Sequence, residues 1–181
     1  MLIPGTPCST CSLCYTPRVP AGSVSASNPA ILIREATPAD IPEILLQRRG
    51  MYEDIGYTNP ATLSAIHSLS AEYLSKALPD RSFRAWLAFA GSRAVGGGAI
   101  VISPWPAHPY DLECRRATIL NVYTYPQYRR QGIGRQIMQT MIDWCKREGF
   151  VRVNLHASAD GRHLYESMGF EASNEMQLKL R

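Results

Sequence analysis

A strand, a glycine-containing turn, a helix and a second strand follow one another in residues 117–156, and this succession constrains the fold more than any other part of the sequence. Residues 117–125 have the composition of a strand. In the helix predicted for residues 132–148, apolar side chains recur every three or four residues, so one face is expected to be buried. The residues of this face are Ile133, Ile137, Met138, Met141, Ile142 and Cys145. Gly149 is the expected helix end, and alternation over residues 151–156 predicts a strand that returns to the same sheet.

The remaining elements alternate in the same way along the chain. Strands are predicted at residues 31–36, 83–90, 94–103 and 176–180, and helices at residues 37–52, 59–77 and 161–168. Thr37 and Pro38 supply the cap and first position of the first helix, and Gly91 is the turn of a hairpin. Strands and helices are therefore intermixed, which predicts a mixed α/β sandwich in one domain, residues 31–181, without internal repeats.

Composition excludes several classes of protein. The chain has 181 residues and a net charge of +4, and 45% of its residues are hydrophobic, which is enough to build a core. No stretch approaches the roughly 18 to 20 apolar residues that cross a bilayer, so no membrane association is expected. The small basic excess does not favour nucleic acid. Five cysteines without a dense framework argue against a disulfide scaffold and favour a reducing cytoplasm.

Residues 1–30 differ from the rest in composition. They contain five prolines and five serines but only one charged residue, Arg18, which predicts either a disordered extension or a start codon assigned too early. Cys8, Cys11 and Cys14 are too few to close a structural zinc site, so no metal is expected.

Residues 129–135 carry the most specific chemical signal. A strand ends, the chain turns through Gly132 and Gly134, and a helix begins with arginines around its N-terminus. Exposed N–H groups at a helix N-terminus attract phosphate, and glycines leave the backbone accessible to it. A P-loop is excluded because no Lys-Ser/Thr pair follows the glycines, and a dinucleotide fold lacks its third glycine.

Two motifs of the chain, Arg129-x-x-Gly132-x-Gly134 and Tyr165-x-x-x-Gly169-Phe170, together resemble those of the GNAT (Gcn5-related) N-acetyltransferase family. The resemblance covers residues 31–181 and includes the order of strands and helices. It implies a central, mostly antiparallel sheet flanked by helices. It also implies an N-acetyltransferase that uses acetyl-CoA as acyl donor, without a metal, by direct transfer in a ternary complex.

The resemblance also assigns residues to the cofactor. Residues 122–124 match the strand that pairs with the pantetheine arm, residues 129–135 match the pyrophosphate site, and Ser158 stands where many relatives have an asparagine. The cofactor-binding residues implied are Val122, Tyr123, Thr124, Arg129, Arg130, Gln131, Gly132, Gly134, Arg135 and Ser158.

Tyr165 matches the tyrosine that protonates the departing CoA thiolate, a role that suits a phenol protonated at neutral pH. An amine must lose a proton before it attacks the thioester, and a carboxylate can accept that proton. Glu113 and Asp111, just before the central strand, are the candidates, with Glu113 preferred because related enzymes often have an acid there. Cys114 and Cys145 belong to no arrangement that suggests a nucleophile.

The acceptor is expected to be a primary amine of a small molecule or peptide. Candidates for its pocket are the aromatic and histidine side chains Tyr52, Tyr57, Trp105, His108 and Tyr110. Two alternatives stay open: transfer of another acyl group or to a hydroxyl, and a catalytically silent acyl-CoA sensor or interaction module. The sequence leaves open whether the chain forms a homodimer.

Overall fold

The computed structural model of the protein describes residues 30–109 and 111–180. Its strands are β1 (Ile31–Glu35), β2 (Phe83–Ala90), β3 (Arg93–Pro104), β4 (Arg115–Thr124) and β5 (Val153–Leu155). Its helices are α1 (Ile41–Asp54), α2 (Pro60–Ala77), α3 (Ile133–Arg147) and α4 (Ala159–Glu166), and short 3₁₀ turns at Pro38–Asp40 and Pro126–Tyr128 precede α1 and α3. The predictions for residues 1–29 and for Tyr110 lie outside the described residues.

The five strands form one sheet in chain order. The first four are antiparallel to their neighbours, and β5 runs parallel to β4. Core residues of β2, β3 and β4 alternate between the two faces, so that one set packs against α3 and the other against α1 and α2. This arrangement confirms the predicted mostly antiparallel sheet flanked by helices.

The buried face of α3 was predicted correctly from its periodicity. Ile133, Ile137, Met138 and Met141 are at most 1% exposed and face the sheet. Trp144, which the periodicity did not include, is also buried there. The helix is therefore held firmly along its length, and its N-terminus has a defined position beside the end of β4.

The strand predicted at residues 176–180 is wrong. Residues 171–180 contain no helix or strand, and Met176 and Leu180 are 95% and 86% exposed. Alternation of apolar and polar residues predicts which side chains of a strand share a face. A strand forms only where a neighbouring strand offers free backbone N–H and C=O groups. The adjacent β5 offers only three residues, fewer than the predicted residues 151–156.

A bulge interrupts β4 next to the point where the sheet opens. Asn121 and Val122 together lie opposite the single residue Gly98, because Leu120 pairs with Ala99 and Tyr123 with Gly97. Asn121 has a φ of 54°, a conformation that asparagine tolerates better than most residues. The extra residue places Leu120 and Asn121 on the face of α1 and α2, whereas Val122 faces α3.

Glycines in β3 bring both helices close to this point. A methyl group at Gly98 would lie 2.7 Å from the Cε atom of Met141 in α3, and one at Gly97 would collide with the side chain of Gln47 in α1. Neither helix could approach the sheet so closely beside a larger residue. Consequently the ends of α1, β4 and α3 converge at one edge of the molecule.

Among the described residues, no helix combines the length and the apolar character that a bilayer-spanning helix needs.

Candidate active site

A cavity of about 560 Å³ opens where β4 and β5 separate, and we call it the β4–α3 cavity. Pairing between these strands ends at Ile119 and Leu155, so no strand of the described residues lies beside the following residues of β4 on that edge. The end of β4, the start of α3, α4 and the last turn of α1 form its walls. Nine of the ten residues predicted to bind the cofactor, together with Tyr165, line this cavity. Their binding roles stay predictions.

The N-terminus of α3 presents backbone donors to the cavity. Gly132 caps the helix with a φ of 78°, and the first helical bond runs from the Gln136 N–H to the Gly132 carbonyl oxygen over 3.1 Å. The N–H groups of Ile133, Gly134 and Arg135 therefore have no acceptor within the helix. Such groups carry partial positive charge and attract an anion.

Gly132 and Gly134 leave space in front of these donors. A methyl group at Gly132 would meet no atom within 4 Å, and one at Gly134 would lie 3.5 Å from Leu164 and 3.8 Å from Thr124. The protein therefore does not itself require glycine at position 134. The open space fits a group as large as a pyrophosphate, which would contact the backbone directly.

Arg129 is engaged within the protein. One of its terminal nitrogens donates to the carboxylate of Asp54 at the end of α1, and its Nε donates to the Thr124 carbonyl oxygen over 3.0 Å. Its guanidinium also lies 5.7 Å from the ring centre of Tyr123. Arg129 thus fastens α1 to the end of β4.

The other two arginines differ from Arg129 and from each other. Arg135 donates to the hydroxyl of Ser167 over 2.6 Å, which connects α3 with the end of α4. Arg130 has a φ of 62°, and its side chain has no hydrogen-bond or ion-pair partner among the described residues. Gln131 lies beside these residues but outside the cavity wall, with its amide donating to the Gln127 carbonyl over 3.4 Å.

Ser158 begins α4. Its Oγ accepts a hydrogen bond of 3.1 Å from the Gly161 N–H and so caps the helix. Because the same hydroxyl keeps its own proton, it can still donate into the cavity. The interpretation of Ser158 as a cofactor contact is thus compatible with its role as a cap.

Tyr165 lies about two helical turns after Ser158 in α4. Its ring makes an edge contact with Phe170 at 6.0 Å, and a methyl group at Gly161 would lie 2.8 Å from the ring. Its hydroxyl makes no hydrogen bond to a described residue. Burial raises the pKa of Tyr165 above its ordinary value of 10, so the phenol holds its proton at neutral pH and can donate it.

The structure does not bring Glu113 to this cavity. Glu113 lines a separate cavity of about 170 Å³ with Asp111 and Arg115, accepts a hydrogen bond of 3.3 Å from Arg115, and lies near the start of β4. Arg115 and Val122 are seven residues apart in the strand, about 23 Å at roughly 3.3 Å per residue. We call this second space the Glu113 cavity.

The residues predicted to line the acceptor pocket are also divided between two places. Trp105 and His108 line the Glu113 cavity. Tyr52 lines a third cavity, between α1, α2 and the sheet, and Tyr57 is 55% exposed with its ring 5.8 Å from that of Tyr52. The structure therefore assembles no single pocket from these side chains.

The third cavity, which we call the Arg48 cavity, has a volume of about 300 Å³. Arg48 of α1 donates to Asn121 Oδ1 over 2.5 Å and to Ser70 Oγ over 3.2 Å. Its guanidinium lies 5.1 Å from the ring centre of Tyr52. Sequence reasoning missed Arg48 and Asn121. The positive φ of Asn121 fits a known preference of asparagine, but no local pattern marks Arg48.

Two findings concern other chemistry. Burial raises the pKa of the Cys145 thiol to about 11, with Glu148 adding to the shift, so this thiol is protonated at neutral pH.

No group of three or more His, Cys, Asp or Glu residues in the described part of the chain is arranged to hold a metal ion.

Known proteins resemble this chain in sequence and in structure. The sequence profile of the acetyltransferase (GNAT) family matches residues 51–170. The uncharacterized N-acetyltransferase YsnE of Bacillus subtilis (strain 168) is 29% identical over 112 residues, which is 59% of this chain and 66% of that protein. Mouse and rat relatives of the N-acetyltransferase 8 type are matched over only about half of their length.

Solved structures agree with this match. A GCN5-related N-acetyltransferase from Ralstonia eutropha JMP134 superposes with a TM-score of 0.78 at 28% identity, over 83% of this chain and 99% of that one. A predicted acetyltransferase with acetyl-CoA from Clostridium acetobutylicum has a TM-score of 0.77 at 24% identity, over 83% and 97% of the two chains. The second likeness concerns the fold alone.

Proposed function

Because the chain belongs to the GNAT family of acetyltransferases, we propose that it transfers the acetyl group of acetyl-CoA directly to a primary amine in a ternary complex. The observation that carries this proposal is the β4–α3 cavity. It combines free N–H groups at a helix N-terminus, an unpaired strand edge and a protonated tyrosine. A catalytically silent acyl-CoA sensor would need the first two features but not the third.

The residues of the cavity can hold acetyl-CoA as a cosubstrate. The pyrophosphate fits the open space before Gly132 and Gly134, where helix N–H groups and Arg130 supply positive charge. The pantetheine amides can pair with the backbone edge of residues 122–124, which no other strand in the described part of the chain covers. The thioester would then point toward Tyr165. The GNAT family, to which the chain belongs, uses acetyl-CoA, which supports this cosubstrate.

The chemistry proceeds in one addition and one elimination. The neutral amine forms a bond to the thioester carbonyl carbon, the C–S bond breaks, and Tyr165 donates its proton to the departing thiolate. The nitrogen releases its extra proton to water and becomes an amide. Glu113 has no part in these steps, because it lines the separate Glu113 cavity near the start of β4.

The test combines binding with turnover. Calorimetry should detect acetyl-CoA binding to the full chain, weakened by added salt because charged groups hold the phosphates. Gly134→Val should abolish most of this binding while the melting temperature stays near that of the wild type, since a side chain there fills the space that the pyrophosphate needs. Unchanged binding by the folded variant would refute the phosphate site.

Thiol release from acetyl-CoA over a panel of amines, amino acids and peptides then separates the alternatives. Amine-dependent release supports the transferase. Tight binding without release for any amine supports the sensor. Faster release with another acyl-CoA would identify a transferase of a different acyl group.

A further inference from the structure

We infer that the Arg48 cavity takes the acceptor, and that the acceptor is a free amino acid with an apolar or aromatic side chain, whose carboxylate binds Arg48 while its amine faces the thioester. This inference rests on the proposed function and adds the class of acceptor. It depends on the position of the cavity, on its charge and on its lining.

The Arg48 cavity adjoins the β4–α3 cavity at the bulge. In β4, Asn121 lines the Arg48 cavity and Val122 lines the β4–α3 cavity. In α1, Tyr52 lines the Arg48 cavity and Met51 lines the β4–α3 cavity. The side chains of Asn121 and Val122 lie on opposite faces of the sheet, but Tyr123, which also lines the β4–α3 cavity, packs against Gly50 of α1 on the face of Asn121, so the two spaces approach each other beside α1. An amine bound at this end of the Arg48 cavity would therefore face a thioester lying along residues 122–124.

Arg48 is the charged group of this cavity. None of its lining residues in the described part of the chain is Asp or Glu, and no described carboxylate forms an ion pair with Arg48. The phenol of Tyr73 stays neutral, because burial raises its pKa and Asp80 adds to the shift, with Arg48 opposing it. A half-buried guanidinium without a counterion attracts an anionic ligand group and disfavours a polycationic amine.

The contacts of Arg48 define what it can still bind. Nε donates to Ser70 and one proton of Nη1 donates to Asn121, so Nη2 and the second Nη1 proton have no partner among the described residues. These two nitrogens form one side of the guanidinium fork, whose spacing matches the two oxygens of a carboxylate. Ser70 and Asn121 hold the fork from the opposite edges, so its orientation is set before a ligand arrives.

The rest of the cavity is apolar and aromatic. Ile66, Leu69 and Tyr73 of α2 face Phe83 and Leu120 of the sheet. Leu69 and Tyr73 are 68% and 45% exposed, which places them at the entrance. A volume of about 300 Å³ is at the lower end of the range for small-molecule sites, which suits an amino acid better than a folded protein.

Binding through the carboxylate also favours the reaction. In a free amino acid the carboxylate stabilises the neighbouring ammonium ion. Pairing that carboxylate with Arg48 removes this stabilisation, so a larger fraction of the bound amine is neutral and able to attack. This effect reduces the need for a general base.

The first test compares two acceptors that differ by the carboxylate alone, L-phenylalanine and phenethylamine, in thiol release by the full chain. We expect wild-type kcat/KM to be at least tenfold higher for phenylalanine. Arg48→Met should lower kcat/KM for phenylalanine by roughly 10- to 100-fold, which is the loss expected when a charged hydrogen-bonded pair is removed. The same variant should change kcat/KM for phenethylamine less than threefold. Arg48→Lys should restore part of the loss.

Arg49→Met is the matched control, because Arg49 is the next residue of α1, is exposed and pairs with Glu53 outside the cavity. It should leave both acceptors unchanged. Equal wild-type kcat/KM for the two acceptors, or an equal loss for both in Arg48→Met, would overturn the inference. The wild-type comparison decides the question even where Arg48→Met fails to fold.

A second measurement does not need turnover. Calorimetry of N-acetyl-L-phenylalanine, the expected product, should show binding that weakens by roughly 10- to 100-fold in Arg48→Met and is unchanged in Arg49→Met. If acetyl-CoA binds and this product does not, or binds both variants equally, the inference fails while the proposed cosubstrate stands. If the product binds through Arg48 but acetyl-CoA does not bind, the proposed function fails instead.

Discussion

Arg129 donates a hydrogen bond to the carboxylate of Asp54 and thereby joins the turn before α3 to the end of α1. The same guanidinium donates to the Thr124 carbonyl oxygen, so three segments meet at one side chain. Arg130, the next residue, has no such partner among the described residues. Two adjacent arginines that were both predicted to bind the cofactor therefore have different surroundings, and different effects on mutation follow.

Arg129→Met should lower the melting temperature, whereas Arg130→Met should lower acetyl-CoA affinity. Loss of the partly exposed Arg129 pair costs up to about 1 kcal/mol, or roughly 2 to 4 °C in a chain of this size. Loss of the Arg130 charge should weaken binding roughly tenfold and reduce its dependence on salt. Thermal unfolding and calorimetry of each variant measure both effects. A stable Arg129→Met protein with a tenfold weaker affinity would instead make Arg129 the phosphate ligand.

Gly132→Ala and Gly149→Ala form a matched pair at the two ends of α3. Both glycines have a φ near 80°, and a methyl group at either would meet no atom within 4 Å. The left-handed conformation should therefore cost each variant about 1–2 kcal/mol of stability. Only Gly132→Ala should also lose acetyl-CoA affinity, as measured by calorimetry below both melting temperatures. An equal loss in Gly149→Ala would show that general destabilisation, and not the phosphate site, is responsible.

Tyr165→Phe should reduce turnover by about 100-fold and leave acetyl-CoA affinity within twofold, since the ring and its contact with Phe170 are retained. The expected reduction in turnover is at the low end of the range for loss of a general acid, because a thiolate leaves readily without a proton. Steady-state kinetics on the best amine provide the measurement. Tyr125→Phe is the control, because the hydroxyl of Tyr125 donates a hydrogen bond to Glu43 outside the cavity. This variant should be about 1 kcal/mol less stable than the wild type and should keep full activity. Full activity of Tyr165→Phe would assign the tyrosine to packing.

Glu113→Gln should change kcat less than threefold. Glu113 pairs with Arg115 in a separate cavity and does not line the β4–α3 cavity, which contains Tyr165. The acid limb of the rate profile should follow the pKa of the acceptor amine in both proteins. A loss of 100-fold or more at an unchanged melting temperature would identify Glu113 as the general base after all.

Asp40→Asn should destabilise the protein by about 1–2 kcal/mol at pH 7 and much less at pH 2. Hydrogen bonds from Arg34 over 2.7 and 2.9 Å, and then from Thr37, hold the pKa of Asp40 well below its usual range. A carboxyl group whose pKa is lower in the folded protein than in the unfolded chain stabilises the fold at pH values above its ordinary pKa of about 4. This stabilisation is lost as the pH falls below that value and through the folded-state pKa. Denaturant unfolding at several pH values tests this, with Asp143→Asn in α3 as control. A pH-independent difference would contradict the ionic origin.

Local signals in the sequence were sufficient for much of the fold. The buried face of α3 follows from its spacing of apolar residues, and the turn at Gly91 follows from the two strands around it. The bounds of β2 were also predicted correctly, and those of α2 to within one residue. These features depend on residues close together in the chain, so the chain alone carries the information. The strand at residues 176–180 was predicted with the same kind of signal and is wrong, because pairing depends on a partner elsewhere.

Some features of the candidate site were likewise predicted from the sequence, and others were set only by the tertiary structure. The sequence by itself determined the glycine turn at the start of α3, the spacing of Tyr165 to Gly169 and Phe170, and the family to which both motifs belong. Only the tertiary structure decided that Glu113 lies at the other end of β4 and that Arg48 meets Asn121, 73 residues away. The physical reason is that this contact requires the register of β3 and β4, the bulge between them and the seating of α1 on β3. Each of these is set by packing between distant segments and by no local pattern.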